Sequence, residues 1–254
     1  RILRSQSSDI TDELTRHLVN EGLEIHLNTS IQNISRVDKN SVIITTLEND
    51  NKVQYKVAQV VVATGILANT ANLGLDIIGV ALDDKGFIKV NDKQETNIGG
   101  IYAIGDCTNT PAFVYTAAAE GKTAALNALG DIGALTNYKG LPWVVFTDPQ
   151  VAGAGMDENE AEEIGIPHET SVVYLNDVPR AIVANDTRGF IKLIRNPESD
   201  ELLGIRVVAP EGGELVMQAS LAIKFGIKVE EIANTLYPYL TLSEGVKLAA
   251  ISFT

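Results

Sequence analysis

Apolar positions in the first 57 residues recur at helical spacing and then at strand spacing. Ile10, Leu14 and Leu18 share one helical face behind Asp9, a good N-cap, and Gly22 stands where such a helix would end. Short runs of apolar residues broken by polar turns follow at 31–37, 41–47 and 52–57. This pattern predicts one amphipathic helix and then a three-stranded antiparallel meander.

Two short apolar runs in the middle of the chain predict buried strands. The first, 60–63, ends at Thr64-Gly65, and the second, 101–104, ends at Gly105-Asp106. A strand ending in Gly-Asp would place a carboxylate at the carboxyl edge of a parallel sheet, where doubly wound folds bind ligands. Asp106 is therefore a candidate for binding sugar or ribityl hydroxyls. The alternative is a carboxylate that caps the next turn.

An Ala-rich helix is predicted over 112–129, directly after Pro111. Its first turn, at Phe113, Val114 and Tyr115, would present N–H groups and the positive end of the helix dipole. This field stabilises a nearby anionic group by about 0.3–1 kcal/mol. An ordinary amphipathic core helix explains the same sequence equally well.

The second half of the chain reads as a separate α+β domain. Residues 131–140 are rich in turn formers and make the best domain boundary. Strands are predicted at 143–147, 171–175, 190–195 and 202–208, with helices at 158–164, 214–225 and 229–236. Asp157 and Glu160 form a capping box for the first of these helices. The pattern predicts a mostly antiparallel sheet covered by helices.

Composition narrows the function classes. The 254 residues are 45% hydrophobic, contain no apolar run long enough to span a bilayer, and carry a net charge of −13 without a basic cluster. We therefore expect a soluble, cytoplasmic protein with no nucleic-acid or membrane partner. One cysteine and three histidines cannot build a structural zinc site or an internal disulfide. A redox role would need an added cofactor or another chain segment.

Several motifs resemble one enzyme family. Residues 96–106 resemble the second FAD-binding motif of the glutathione reductase and lipoamide dehydrogenase superfamily, and residues 61–65 are similar to its Ala-Thr-Gly motif. Residues 105–119, 141–152 and 178–193 are most similar to the mercuric reductase branch of these class I pyridine nucleotide-disulfide oxidoreductases.

The resemblance implies a fold, a domain plan and a reaction. The fold would be α/β plus α+β, a partial FAD/NAD(P)-binding Rossmann-like region followed by a dimerisation domain with an antiparallel sheet. Residues 1–66 would complete the NAD(P)H-binding domain, 67–137 the FAD-binding domain, and 138–254 the interface domain. The complete enzyme would use FAD and NADPH to reduce Hg(II) to Hg(0), as a homodimer.

The same resemblance implies a set of cofactor-binding residues. Those on the flavin side are Ala63, Thr64, Gly65, Gly105, Asp106, Phe113, Val114 and Tyr115. Val144 corresponds to a valine near the nicotinamide. Arg4 would meet the 2′-phosphate of NADPH, although a plain surface arginine is an equal alternative.

Tyr239 and Glu244 are the candidate catalytic residues. In disulfide reductases of the family this stretch carries a His paired with a Glu, whereas here Tyr239 replaces the His and Glu244 keeps the Glu position. A phenol, with a reference pKa near ~10, is a poor base at neutral pH, which disfavours thiol–disulfide exchange. The resemblance implies that Tyr239 contacts the mercury ion. Glu244 also fits a capping box that begins at Thr241, and both roles can hold.

Three family features do not occur in the 254 residues: Gly-x-Gly-x-x-Gly, Cys-x4-Cys and a second Cys pair near the C-terminus. Cys107 is expected to be a small buried residue rather than a catalytic thiol. We therefore expect a C-terminal portion of the enzyme that is inactive by itself. Two alternatives stay open: another flavoprotein disulfide reductase such as dihydrolipoamide dehydrogenase, and a dimerisation or binding module without activity.

Overall fold

The computed structural model describes residues 1–130 and 132–253, and it divides the chain into two compact units. One unit combines Arg1–Gln59 with Lys139–Thr254, and the other is Val60–Tyr138. Asp131, in the predicted boundary segment, lies outside the described residues. The domain limits expected from the sequence remain a prediction.

The first 57 residues form the predicted helix and meander. Helix α1 spans Ser8–Asn20 and precedes strands β1 Thr29–Asp38, β2 Ser41–Glu48 and β3 Asn51–Val57, which pair antiparallel in the order β1-β2-β3. The expected N-cap at Asp9 is wrong by two residues, because Ser7 occupies the extended N-cap position. Asp9 instead lies in the first turn, where its carboxylate accepts a hydrogen bond from the Ser7 hydroxyl.

A five-stranded antiparallel sheet dominates the remainder of this unit. Its order is β4-β5-β8-β7-β6, with β4 Pro142–Val145, β5 Gln150–Gly155, β6 Glu169–Tyr174, β7 Phe190–Arg195 and β8 Leu202–Ala209. Helices α4 Glu158–Glu163, α5 Pro179–Ala184, α6 Gly212–Phe225, α7 Val229–Asn234 and α8 Glu244–Ile251 complete it. The predicted strands, helices and Asp157 capping box are confirmed, whereas β5 and α5 were not predicted.

Helices cover both faces of this sheet. On one face, alternate residues such as Ile191, Ile205 and Val207 join the main core with α6 and α8. On the other face, Ile10 and Leu14 of α1 pack against Val151, Phe190 and Val208. Because successive side chains of a strand point to opposite faces, the sheet packs against one hydrophobic core on each face. Helix α1 supplies part of the second core.

The α1 face also buries two cations side by side. Lys192 and Arg206 are partners in the register of β7 and β8, and each is 2% exposed. The Lys192 ammonium donates to Asp9 at 2.8 Å, to Ser7 at 3.1 Å and to Glu158 at 2.5 Å. The paired carboxylates make burial of the lysine tolerable, because an unpaired buried charge is very costly.

The unit 60–138 contains helix α2 Leu75–Ile78, a 3-10 turn at Gly105–Cys107 and helix α3 Val114–Gly130. Val80, Ile88 and Ala103 form its small core. No helix within residues 1–130 and 132–253 is both long and apolar enough to cross a membrane.

The two buried strands predicted in this unit are not observed. Val61 is 89% exposed and Val62 72% exposed, and neither lies in a strand. The run 101–104 makes only an isolated bridge, between Tyr102 and Glu95. A buried strand needs neighbouring strands on both sides, and the described residues of this unit provide none. Asp106 therefore lies in a 3-10 turn rather than at the edge of a parallel sheet.

Candidate functional site

The turn Gly105-Asp106-Cys107 presents a carboxylate to solvent. Gly105 has φ +67, and a Cβ at this position would lie 3.1 Å from the Cβ of Ala117, so both the backbone conformation and the space favour glycine. Asp106 is exposed and makes no hydrogen bond or ion pair with another described residue. Its carboxylate is thus available to accept hydrogen bonds from a ligand with hydroxyl groups, which fits the polyol chain of FAD.

Glu120, which is joined to Tyr138, bonds to the backbone of this turn. Neither residue was identified from the sequence. The Gly105 amide donates to Glu120 Oε2 at 2.6 Å, and the Tyr138 hydroxyl donates to Glu120 Oε1 at 2.6 Å. A signal was present in the sequence. Thr116, Glu120, Thr123 and Asn127 form a polar stripe at helical spacing in an otherwise Ala-rich helix, and all four are buried.

Two aromatic groups mark the start of α3, which follows the Asp106 turn in the chain: Phe113 directly before the helix and Tyr115 in its first turn. The rings of Phe113 and Tyr115 stack with centroids 5.1 Å apart and planes 8° apart, while Val114 between them is 89% exposed. Partial burial raises the pKa of Tyr115. The helix start therefore combines a flat aromatic surface with the positive end of a 17-residue helix dipole.

Ala63, Thr64 and Gly65 are all exposed, and Gly65 has φ +106. Among the described residues, no hydrogen bond connects this segment to the Asp106 turn. The positive φ at Gly65 makes a sharp backbone bend at an exposed site.

Tyr239 and Glu244 are not paired with each other. Glu244 Oε2 accepts the backbone N–H of Leu240 at 2.5 Å and of Thr241 at 3.2 Å, at a bend where Leu240 has φ +64. Tyr239 is 78% exposed, and it has no hydrogen bond to Glu244 in the described structure. Of the capping box expected to begin at Thr241, only the bond from the Thr241 N–H to Glu244 is present. The reciprocal bond is missing, because the Thr241 hydroxyl donates to the Pro238 carbonyl and Ser243 is the N-cap.

Arg4 and Val144 lie in the first unit. Arg4 is exposed and lines a cleft of about 610 Å³ together with Arg1, His26 and Asn28. Neither arginine pairs with a carboxylate among the described residues. Val144 is half-buried in β4. The cleft therefore offers two unneutralised guanidinium groups, the chemistry that binds phosphate.

Cys107 is free and partly buried, and its thiol donates to the Ile104 carbonyl at 3.2 Å. Within residues 1–130 and 132–253, no group of three or more His, Cys, Asp or Glu side chains is arranged to hold a metal ion.

Two family models together match most of the chain. The model for pyridine nucleotide-disulphide oxidoreductases matches residues 1–121, and the model for the dimerisation domain of the same family matches residues 141–250. The chain belongs to the pyridine nucleotide-disulphide oxidoreductases. This confirms the family and the α/β plus α+β fold predicted from the sequence. Members of this family in general use FAD and a pyridine nucleotide.

Similar oxidoreductases include two proteins named mercuric reductase. That of Acidithiobacillus ferrooxidans is 42% identical over 96% of this chain and 44% of its own length. That of Streptomyces lividans is 36% identical over 100% of this chain and 53% of its own length. The chain thus spans about half the length of the curated relatives it matches.

Solved structures share the fold of this chain. LpdA from Mycobacterium tuberculosis superposes with a TM-score of 0.89 at 26% identity, over 98% of this chain and 53% of that chain. The Cu(II) complex of the HOCl-induced flavoprotein disulfide reductase RclA from Escherichia coli gives 0.89 at 25% identity, over 99% and 56%.

Proposed function

We propose that the protein containing this chain is an FAD- and NADPH-dependent mercuric reductase, which converts Hg(II) and NADPH to Hg(0), NADP⁺ and a proton. We further propose that it works as a cytoplasmic homodimer. The similarity to proteins of that name supports this assignment. Within this chain, the assignment is carried by the exposed Tyr239 phenol and by the bonds of the Glu244 carboxylate to two backbone N–H groups.

A thiol–disulfide reductase needs a base that takes a proton from a thiol near neutral pH. Position 239 holds a phenol, and the carboxylate at position 244 is already engaged by two backbone N–H groups. The pair is therefore poorly suited to thiol deprotonation. An exposed hydroxyl can still contact a thiolate-bound metal ion, and this requires no proton transfer by the protein.

Other residues of the chain would bind the cofactors. Bound FAD would relay two electrons from NADPH toward mercury. Asp106 would accept hydrogen bonds from ribityl hydroxyls, while the α3 start at Phe113, Val114 and Tyr115 would face the electron-rich side of the ring. The backbone bend at residues 63–65 would approach the same cofactor. Val144 would lie beside the nicotinamide, and Arg4 would bind the 2′-phosphate.

Mercury reduction also needs a pair of thiolates, because Hg(II) is a soft ion that prefers sulfur ligands. The chain contains one cysteine, Cys107. The proposal therefore requires two cysteines encoded outside the 254 residues. Tyr239, which is exposed, would approach that dithiol in the partner subunit of a twofold dimer.

The test uses protein expressed from the complete coding sequence. We expect yellow protein with a flavin spectrum, NADPH oxidation that depends on Hg(II) in the presence of excess thiol, and release of mercury vapour. Reduction of lipoamide or of another disulfide, with no vapour, would instead identify a disulfide reductase. Colourless protein that takes up no FAD would leave only a dimerisation module.

The variant Tyr239→Phe tests the role proposed for the Tyr239 hydroxyl. Loss of one hydroxyl contact should lower Hg(II) turnover about fivefold, since a net hydrogen bond contributes roughly 1 kcal/mol. Flavin binding should not change. Tyr237→Phe is the matched control, because Tyr237 is half-buried, two residues away, and its ring lies against the Lys247 ammonium. Equal turnover in both variants would contradict the role of Tyr239.

A further inference from the structure

We propose that Glu120 is a positioning residue of the flavin site: its buried carboxylate, joined to Tyr138, fixes the N–H of Gly105 and so sets the direction in which Asp106, the next residue, points. This inference rests on the proposed flavin role of Asp106. It assigns a function to two residues that no motif of the family resemblance includes.

The geometry of Glu120 matches two donors with two acceptors. Its side chain is fully buried, and its two oxygens separately accept the Gly105 N–H and the Tyr138 O–H, both at 2.6 Å. An ionised carboxylate only accepts, and bonds to a charged acceptor are shorter and stronger than neutral ones. Both donors are therefore held in fixed directions.

Hydrogen bonds hold both backbone polar groups of Gly105. Its N–H donates to Glu120, and its carbonyl accepts the Thr108 hydroxyl at 2.7 Å and the Thr108 N–H at 2.8 Å. The Thr108 and Thr110 hydroxyl oxygens are 2.8 Å apart, and because the Thr108 proton is used by Gly105, Thr110 is the donor of this pair. Glu120 and Thr108 thus fix the two sides of Gly105.

The cost of burying Glu120 indicates why the residue matters. No cation among the described residues pairs with this carboxylate, so neutral donors alone compensate for its lost hydration. Burial and the bond to Glu120 raise the pKa of Tyr138 to about 12. The phenol thus keeps its proton across the ordinary pH range and remains a donor.

Asp106 depends on these hydrogen bonds because it has no other support. Its side chain bonds to no described residue, so its direction follows from the backbone of the turn. Glu120 holds the N–H of Gly105, and Thr108 holds the Gly105 carbonyl, in the peptide that leads into Asp106. A loose turn would have to be ordered when a ligand binds, and such ordering lowers affinity.

The experiment is a double-mutant cycle on FAD affinity, using apoprotein from the complete coding sequence. Dissociation constants are measured for Glu120→Ala, Asp106→Ala and the double variant. If Glu120 acts through Asp106, Glu120→Ala should weaken binding roughly tenfold or more, and this effect should shrink several-fold when Asp106 is already absent. Glu120→Gln, which retains one acceptor, should recover most of the affinity.

Asn127→Ala is the matched control. Asn127 is buried on the same face of α3, and its amide bonds to Lys93 and Ala134 rather than to the Gly105 turn. It should lower stability without coupling to Asp106. Deuterium exchange of the peptide containing Gly105 should accelerate in Glu120→Ala and remain unchanged in Asn127→Ala.

The outcomes separate the two proposals. If wild-type protein binds FAD but Glu120→Ala has the same effect with and without Asp106, Glu120 is merely structural and the inference is overturned. Unchanged deuterium exchange in Glu120→Ala overturns it as well. If wild-type protein binds no FAD, the proposed function fails, and the flavin role of Glu120 fails with it.

Discussion

The Lys192 side chain joins segments that lie far apart in the sequence. It lies on a central strand, and its ammonium bonds to Asp9 and Ser7, more than 180 positions earlier in the chain, and to Glu158. Burial raises the pKa of Asp9, but hydrogen bonds from Lys192 and Ser7 outweigh it, and the net shift is downward from 3.8. A lowered folded-state pKa means that Asp9 stabilises the fold above pH 3.8 and that this contribution is lost as the pH falls below it.

Lys192→Met should destabilise the protein by roughly 2–3 kcal/mol, measured by urea unfolding at pH 7. Removing one partner of a buried ion pair costs up to about 3–5 kcal/mol. The expected value is lower because Asp9 and Glu158 keep some contact with solvent. Lys56→Met, at an exposed position on β3, is the control and should change stability by less than about 0.5 kcal/mol. Equal effects would show that the cluster contributes nothing.

Arg4→Ala should raise the KM for NADPH roughly tenfold or more and leave the KM for NADH unchanged. A hydrogen bond to a charged group contributes about 1.5–3 kcal/mol, and only NADPH carries the 2′-phosphate. Arg36→Ala, at an exposed site on β1, serves as the control. A parallel rise for both nucleotides would place Arg4 elsewhere than at the 2′-phosphate.

Residue-scale features were predictable from the sequence when the partners lie close in the chain. Asp157 and Glu160 are three positions apart, and the capping box they form was predicted correctly. The partners of Lys192 and Glu120 come from distant positions, so no local pattern identifies them. The exposed Asp106 was found because its motif is contiguous, although its expected sheet edge was not observed.

At the scale of elements, periodicity succeeded where a strand has neighbours in the chain. Strands β1, β2 and β3 are joined by short turns and pair as predicted. The runs 60–63 and 101–104 are just as apolar, yet they have no strand beside them in the described residues. Strand β5 was missed for the opposite reason, since its Gly and Ala content suggests a loop although β4 and β8 hold it on both sides.

Gly204→Ala should disrupt the β5–β8 pairing. Gly204 is opposite Gly155 in the register, and a Cβ at position 204 would overlap the carbonyl oxygen of Met156. We expect destabilisation of at least about 2 kcal/mol in urea unfolding, since overpacking usually costs 1–3 kcal/mol. Gly99→Ala is the control, because a Cβ there has nothing within 4 Å. Comparable stability of the two variants would contradict the packing described for β8.

At the scale of the whole molecule, the proposed homodimer has a candidate surface. Met217, Leu221 and Phe225 of α6 lie one helical turn apart and are 48%, 51% and 70% exposed. They fall inside the residues matched by the dimerisation-domain model. Apolar side chains on one face of a helix in such a domain suit a self-complementary contact.

Leu221→Asp combined with Phe225→Asp should convert the dimer to a monomer in sedimentation velocity. Each subunit would bring two charges, so the dimer would bury four at the twofold contact. Their desolvation is costly. Ile77→Asp, on α2 and 84% exposed, is the control and should leave the dimer intact. A double variant that still sediments as a dimer would place the contact on another surface.

The position of α1 against the five-stranded sheet has a consequence for recombination among relatives. A chimera cut near residue 139 would inherit Lys192 and Arg206 but not Gln6, Ser7 and Asp9, which bond to them. Grafting the C-terminal half alone would thus leave two cations facing a foreign surface. A transferable segment has to carry both Arg1–Gln59 and Lys139–Thr254, even though Val60–Tyr138 between them belongs to the other unit.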